Sequence, residues 1–206
     1  GKSEAVTTST TPGMARLVIA DLFLVLGPGT TGPIYIYFFH DAKEFSIAQA
    51  STLLVFYILA GLFGAPAWAK VAQKFGKHRT VQIACVCYGI SQTVLMAIPA
   101  GLFLPTAAGM FCVGFVASSF TLLIRAMVAD VADEVRLEQG KEQLGLLYAM
   151  VTSTQKVGSA ISVGIIFPIL AFVGYNAAEG AVNTPEAIRG LEMCYLFAPI
   201  ILVLVG

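Results

Sequence analysis

The sequence predicts an all-α membrane protein, a bundle of six transmembrane helices. Three observations carry this. Of 206 residues, 57% are hydrophobic and 12% charged, against roughly 25% charged in a soluble domain. Mean hydropathy is +0.83. The charges fall in short clusters between apolar runs of about 20 residues, the length that spans a bilayer as helix.

The first 13 residues are rich in Ser, Thr and Gly and read as a flexible lead-in or linker. The remainder, 14–206, reads as one membrane domain. Its apolar segments run over 14–39, 46–70, 79–99, 103–128, 143–174 and 189–206. They are read as helices because an isolated strand leaves its backbone unsatisfied in lipid. Alternating strands of about 10 residues, the mark of a barrel, are absent. Position 1 is Gly and the last apolar run stops at Gly206. No signal peptide opens the chain, which reads as a fragment of a longer polypeptide.

Basic residues set the orientation. One side of the membrane holds Lys2, Arg16, Lys70, Lys74, Lys77, Arg79, Arg125, Arg136 and Lys141, the other only Lys43 and Arg189. The richer side is expected to be cytoplasmic, with both ends of the chain inside. In a bacterial cell this is the inner membrane. Zero net charge gives no reason to expect nucleic acid as a partner; lipid is the expected surroundings.

The first segment contains Gly27-Pro28-Gly29-Thr30-Thr31-Gly32-Pro33, which predicts an interrupted helix. Such a break either lines a cavity or is a packing kink. Single prolines, Pro66 and Pro168, recur in the second and fifth segments. That hints at a three-plus-three internal repeat.

The fifth segment carries the densest polar pattern. Tyr148, Thr152, Gln155, Ser159 and Ser162 are spaced to lie along one helix face. Lys156 borders that face, about 20 Å in from Gln143 at the helical rise. An ammonium at that depth needs protein or water around it. It either lines a polar cavity and meets a ligand or carboxylate, or locks two helices as an ion pair. Asp21 lies about 10 Å into the first helix. It is either a cation or proton site, or a hydrated group near Arg16. Gln92 and Thr93 are read as packing contacts.

Cys85, Cys87, Cys112 and Cys194 all sit in apolar runs and read as small buried hydrophobes, not disulfides or metal ligands. His40 and His78 lie in different connectors, so no metal site is expected. Metalloprotease, nucleophile-elbow, Walker and dinucleotide signatures are missing, which argues against an enzyme and a bound cofactor. The connector Lys70–Arg79 is basic and the connector from Asp130 to Glu142 mainly acidic. They read either as a charge network that opens and closes, or as a topology signal with solvated loops.

Residues Met127-Val128-Ala129-Asp130-Val131-Ala132-Asp133-Glu134 resemble the M-x-A-D-x-x-D-x-x-E pattern after the tenth helix of the glycoside–pentoside–hexuronide:cation symporters. These form the melibiose permease-like family of the major facilitator superfamily. Glu134 departs from the pattern by following Asp133 directly. Thr152, Lys156, Gly158 and Ser159 resemble that family's eleventh helix. Phe75-Gly76-Lys77 resembles the superfamily's basic motif, with Ala69 for its usual Gly and Gln73 for its usual Asp.

The resemblance covers nearly the whole chain as helices seven to twelve. It implies one half of a major facilitator fold, two inverted three-helix repeats. It implies symport of a sugar or glycoside with Na⁺, Li⁺ or H⁺ by alternating access. Lys156, Thr152, Gln155, Tyr148, Ser159, Asp21 and Thr121 are then the expected substrate and cation cavity. Asp130, Asp133, Glu134, Lys77, Arg79 and Arg125 are the expected cytoplasmic gate. Thr121 stands where the family's type member has a sugar-stacking tryptophan, so that member's specificity does not carry over. Relatives in this clan move lysophospholipids, so an amphiphile carrier is the alternative. A membrane scaffold or channel subunit, with Lys156 as a helix lock, is another. The family's main cation-site aspartates lie in an N-terminal half that this chain lacks, so the chain is expected not to transport alone.

Overall fold

The computed structural model describes residues 12–139, 144–178 and 181–205. Their helices are α1 (Pro12–Tyr37), α2 (Ile47–Phe75), α3 (Lys77–Ala97), α4 (Phe103–Gln139), α5 (Leu144–Phe172) and α6 (Pro185–Val205). A π-helical turn, Phe38–Ala42, extends α1. Six spans are long and apolar enough to cross a membrane. Among the described residues there is no strand. The fold is the expected six-helix membrane bundle. Most of the lead-in, together with Lys141, Glu142 and Gln143, lies outside the described residues.

Local chemistry explains where the helices start and stop. Ser46 and Gln49 form a reciprocal capping box at the head of α2. Pro185 opens α6 behind Thr184, whose hydroxyl accepts the Ala187 N–H at 3.2 Å. Gly76, at φ +83°, is the whole joint between α2 and α3. Its N–H donates to the Ala72 carbonyl and its own carbonyl accepts from Thr80. The basic connector is therefore not a loop but two helix ends hinged on one glycine. Only glycine adopts that backbone without strain.

Two further expectations are corrected. Helix α1 is not interrupted at Gly27–Pro33; it runs unbroken through Pro28 and Pro33. Thr30 donates to the Gly27 carbonyl and Thr31 to the Pro28 carbonyl, both at 2.7 Å. These hydroxyls pair with carbonyls of their own helix, whereas the carbonyls that Pro28 and Pro33 leave without an N–H are those of Leu24 and Gly29. The irregularity appears instead at the π-helical turn. Likewise the acidic connector is largely helix, because α4 continues past the apolar run to Gln139. Asp130, Asp133 and Glu134 therefore sit on the extension of a helix beyond its apolar run.

The packing displays the internal repeat. The main interfaces are α2 with α4, α1 with α5, α3 with α4, and α1 with α6. Exchanging α1–α3 with α4–α6 in order maps the first onto the second and the third onto the fourth. That is the pattern of two equivalent three-helix units. Helix α4 is the most enclosed, with 56% of its apolar window buried against 22% for α2 and α5. The outer faces of α2 and α3 expose Ile58, Leu62, Phe63, Val86 and Ile90, as lipid contact requires.

Small residues set the closest crossing. A Cβ on Gly114 of α4 would lie 2.9 Å from the Tyr57 Cα on α2, and one on Gly64 of α2 would lie 3.1 Å from the Phe115 carbonyl carbon. The obstacles are backbone, which cannot rotate away. Gly114→Ala is expected to cost about 1–3 kcal/mol by overpacking. Thermal unfolding in detergent checks this, with Gly145→Ala as the control, because nothing lies near Gly145.

Candidate functional site

A cavity of about 290 Å³ lies between α1, α2, α4 and α5. Asp21 and Gly29 come from α1, Tyr57 from α2, Thr121 from α4 and Ser159 from α5. Asp21 is only 1% exposed. Its Oδ1 accepts a hydrogen bond from Gln155 Nε2 at 3.2 Å, and its Oδ2 has no partner. A buried carboxylate needs compensation that one amide donor does not provide. A proton or a bound cation on Oδ2 would complete it.

The local architecture brings these groups together. Gly29 and Gly158 let α1 and α5 approach: their Cβ positions would lie 2.7 Å from Ser162 Oγ and 3.3 Å from Leu22. At that separation Gln155 on α5 reaches Asp21 on α1. Ser159 Oγ donates to the Gln155 carbonyl and Ser162 Oγ to the Gly158 carbonyl, both at 2.9 Å. Their hydroxyls are thus tied to their own helix, as is common for Ser in membrane helices.

The sequence-derived cavity set divides in two. Asp21, Gln155, Ser159 and Thr121 converge on the cavity. Thr152 and Lys156 lie on the exposed side of α5, and neither is in the cavity wall. Tyr148, nearer the start of α5, donates to the Arg125 carbonyl at 3.2 Å, joining α5 to α4. Ser162 is fully buried.

The gate set divides similarly. Lys77 Nζ meets the Asp130 carboxylate at 2.6 Å and also donates to the Ala126 carbonyl at 3.0 Å. This fastens the start of α3 to the end of α4. The pair is 34% and 61% exposed, so it contributes little to stability, about 0–1 kcal/mol. Arg79 and Arg125 form no ion pair among the described residues. Asp133 is exposed, and Glu134 lines a cavity of about 640 Å³ with Asp130, Arg16 and His78. Among the cysteines, Cys85 and Cys194 are buried as expected, but Cys112 is exposed and faces outward from α4.

Two groups escaped the sequence reading, and a third, Gln92, was read only as a packing contact. Lys43 counted only toward orientation, yet it is 3% exposed and caps the end of α3. Burial pulls its pKa down, and the Glu192 carboxylate opposes that shift. Tyr175 donates to the Asp41 carboxylate; burial first, then that contact, pushes its pKa up. Gln92 is 3% exposed, and its Oε1 accepts no hydrogen bond. The signal that could have flagged it is the polar trio Ser91-Gln92-Thr93 within an apolar segment.

Six apolar spans in two equivalent triplets, built around an enclosed carboxylate, define a polytopic membrane protein. The family described as MFS/sugar transport protein matches residues 9–206, and the chain belongs to it. That family is one of transporters. The chain is similar to the "Putative glycoside/cation symporter YagG" of Escherichia coli (strain K12), with 24% identity over 153 residues, 74% of this chain and 33% of that protein. It is also similar to an "Uncharacterized 29.9 kDa protein in crtE 3'region" of Pseudescherichia vulneris, with 28% identity over 134 residues, 65% of this chain and 47% of that protein. The chain thus spans a third to a half of the length of these curated relatives.

Proposed function

We propose that this chain is the C-terminal half of a secondary active transporter that moves a sugar or glycoside together with Na⁺, Li⁺ or H⁺. The observation that carries the reading is the Asp21 cavity. It combines a buried carboxyl with one unpartnered oxygen, an amide, and the hydroxyl-bearing side chains of Thr121, Ser159 and Tyr57. Polyhydroxylated ligands suit such a wall, and a coupling cation or proton suits the free oxygen. The name of the Escherichia coli relative, a glycoside/cation symporter, supports the same class.

Alternating access requires a second half rocking against this one around a midplane site. An N-terminal six-helix half is the partner in this reading. The exposed side of α5 carrying Thr152 and Lys156 would face it, with Lys156 reaching the substrate from the rim. Lys77, Asp130, Asp133 and Glu134 would form the cytoplasmic side of the closure, with Arg79 and Arg125 free to engage the other half. The excess of Lys and Arg on one side supports a cytoplasmic position for that side in a bacterial inner membrane.

The test is uptake of a labelled glycoside panel by the two-half transporter in membrane vesicles, with and without a Na⁺ or H⁺ gradient. Gradient-stimulated uptake of any sugar is the expected result. No uptake under either gradient sinks the reading and turns attention to lysolipid transport. Lys156→Ala separates transport from a scaffold role: the transporter loses sugar binding and keeps its fold, whereas a scaffold loses stability.

A further inference from the structure

We infer that the transporter has a second compartment, an aglycone subsite that takes the neutral aromatic part of a glycoside and hydrogen-bonds its hydroxyl to Gln92. The inference rests on the sugar reading above and names the substrate class of that site. Beside the Asp21 cavity lies a second cavity of about 300 Å³. Tyr35, Tyr57, Tyr88 and Tyr195 contribute to its wall, with Gln92 among them. No charged side chain lines it. An ionic ligand would find no countercharge there, whereas a planar ring finds aromatic surfaces to pack against.

Gln92 supplies the polar handle. Buried acceptors in a native interior are nearly always paired, so an unpaired one calls for an account. Its Oε1 has no partner among the described residues. The hydroxyl of Tyr35, which shares the wall, is already committed to the Ala50 carbonyl at 2.9 Å. A ligand hydroxyl entering the cavity would donate to Oε1 and complete it. Apolar walls with one well-placed polar group are the usual form of a small-molecule pocket.

The two cavities are neighbours. Pro28 and Tyr57 belong to both walls. One cavity offers a carboxyl and hydroxyls, the other aromatic surfaces and a lone acceptor. A glycoside has the same division, a polyhydroxylated ring joined to an aglycone. The sugar fits the Asp21 side and the aglycone ring the tyrosine side, with the glycosidic link passing Tyr57.

The experiment compares methyl, phenyl and 4-hydroxyphenyl glycosides of the same sugar, across hexosides and pentosides, binding to the reconstituted two-half transporter. The wild type is expected to prefer phenyl over methyl, and 4-hydroxyphenyl over phenyl by about tenfold. Gln92→Leu, close in volume, is expected to erase the hydroxyl preference and keep the affinity for methyl glycosides. Equal wild-type binding of all three would overturn the inference and leave the sugar reading standing. So would a hydroxyl preference that survives in Gln92→Leu. Binding of no glycoside at all would remove the sugar reading and the inference together. The wild-type series decides on its own if the variant does not fold.

Discussion

Asp21→Asn is expected to abolish gradient-driven accumulation of substrate while leaving downhill exchange in place. Asparagine keeps the shape of the side chain and can still pair with Gln155, so the contact between α1 and α5 survives. What it removes is the ability of Oδ2 to take up a proton or ligate a cation. Because Asp21 is 1% exposed with that oxygen unpartnered, the ionised wild-type carboxyl carries an uncompensated desolvation cost. The variant should therefore unfold at the same temperature as the wild type or higher. Concentrative uptake and counterflow in the same vesicles provide the check. Uptake falling to equilibrium with counterflow retained is the expected pair of results. Undiminished accumulation would remove Asp21 from the coupling step.

The prediction also separates two carboxylates that the sequence presents alike. Asp21 and Asp130 each lie near a basic residue in the chain, Arg16 and Arg125. In the fold, Asp130 is 61% exposed and held by Lys77, whereas Asp21 meets only an amide from a helix 134 residues away. Neutralising Asp130 should therefore change closure at the cytoplasmic side more than coupling.

What could be read from the sequence follows a physical division. Hydropathy and length determine how many segments enter a bilayer, so the number of spans, six, was legible, whereas the end of α4 at Gln139 was not. Helical periodicity was enough to put Gln155 and Ser159 together on α5. It could not rank positions around that helix, because every side chain there sits among apolar neighbours. Tertiary packing decides that Gln155 turns inward to Asp21 and Lys156 outward. The prolines of α1 misled because proline is a strong breaker in water. In a membrane helix the packed neighbours hold the backbone together. The acidic stretch misled because charge was read as loop, when charged side chains can equally ride on a helix that continues beyond its apolar run. Lys43 was invisible because its partners are carbonyls 53 and 55 residues away, and backbone acceptors leave no mark in a sequence.

Lys43→Met is expected to be the most destabilising of the single charge deletions on this chain. Lys43 Nζ donates to the Met96 carbonyl at 2.9 Å and the Ile98 carbonyl at 2.6 Å, where α3 ends and no further helical N–H is available. Its own carbonyl accepts the Gly101 N–H at 3.0 Å, and its ammonium lies 5.8 Å from the Phe38 ring centre. Phe38 in turn stacks on Tyr195 at 3.9 Å. One residue therefore ties the end of α1 to the end of α3, to the turn leading into α4, and through Phe38 to α6. Methionine keeps most of the volume and loses both hydrogen bonds, leaving two part-buried carbonyls without the ammonium. Charge-assisted bonds of this kind contribute about 1.5–3 kcal/mol each and do not add fully, so a loss of about 3 kcal/mol is expected. Lys77→Met is the internal comparison. Its ammonium is also bonded, but it is partly exposed and its carboxylate partner more so, which limits the loss to about 1 kcal/mol. Thermal unfolding of both variants beside the wild type in one detergent decides the matter. Equal shifts would show that the Lys43 contacts do not fasten the bundle, and a shift confined to Lys43→Met would locate its main polar clamp on the face opposite the gate.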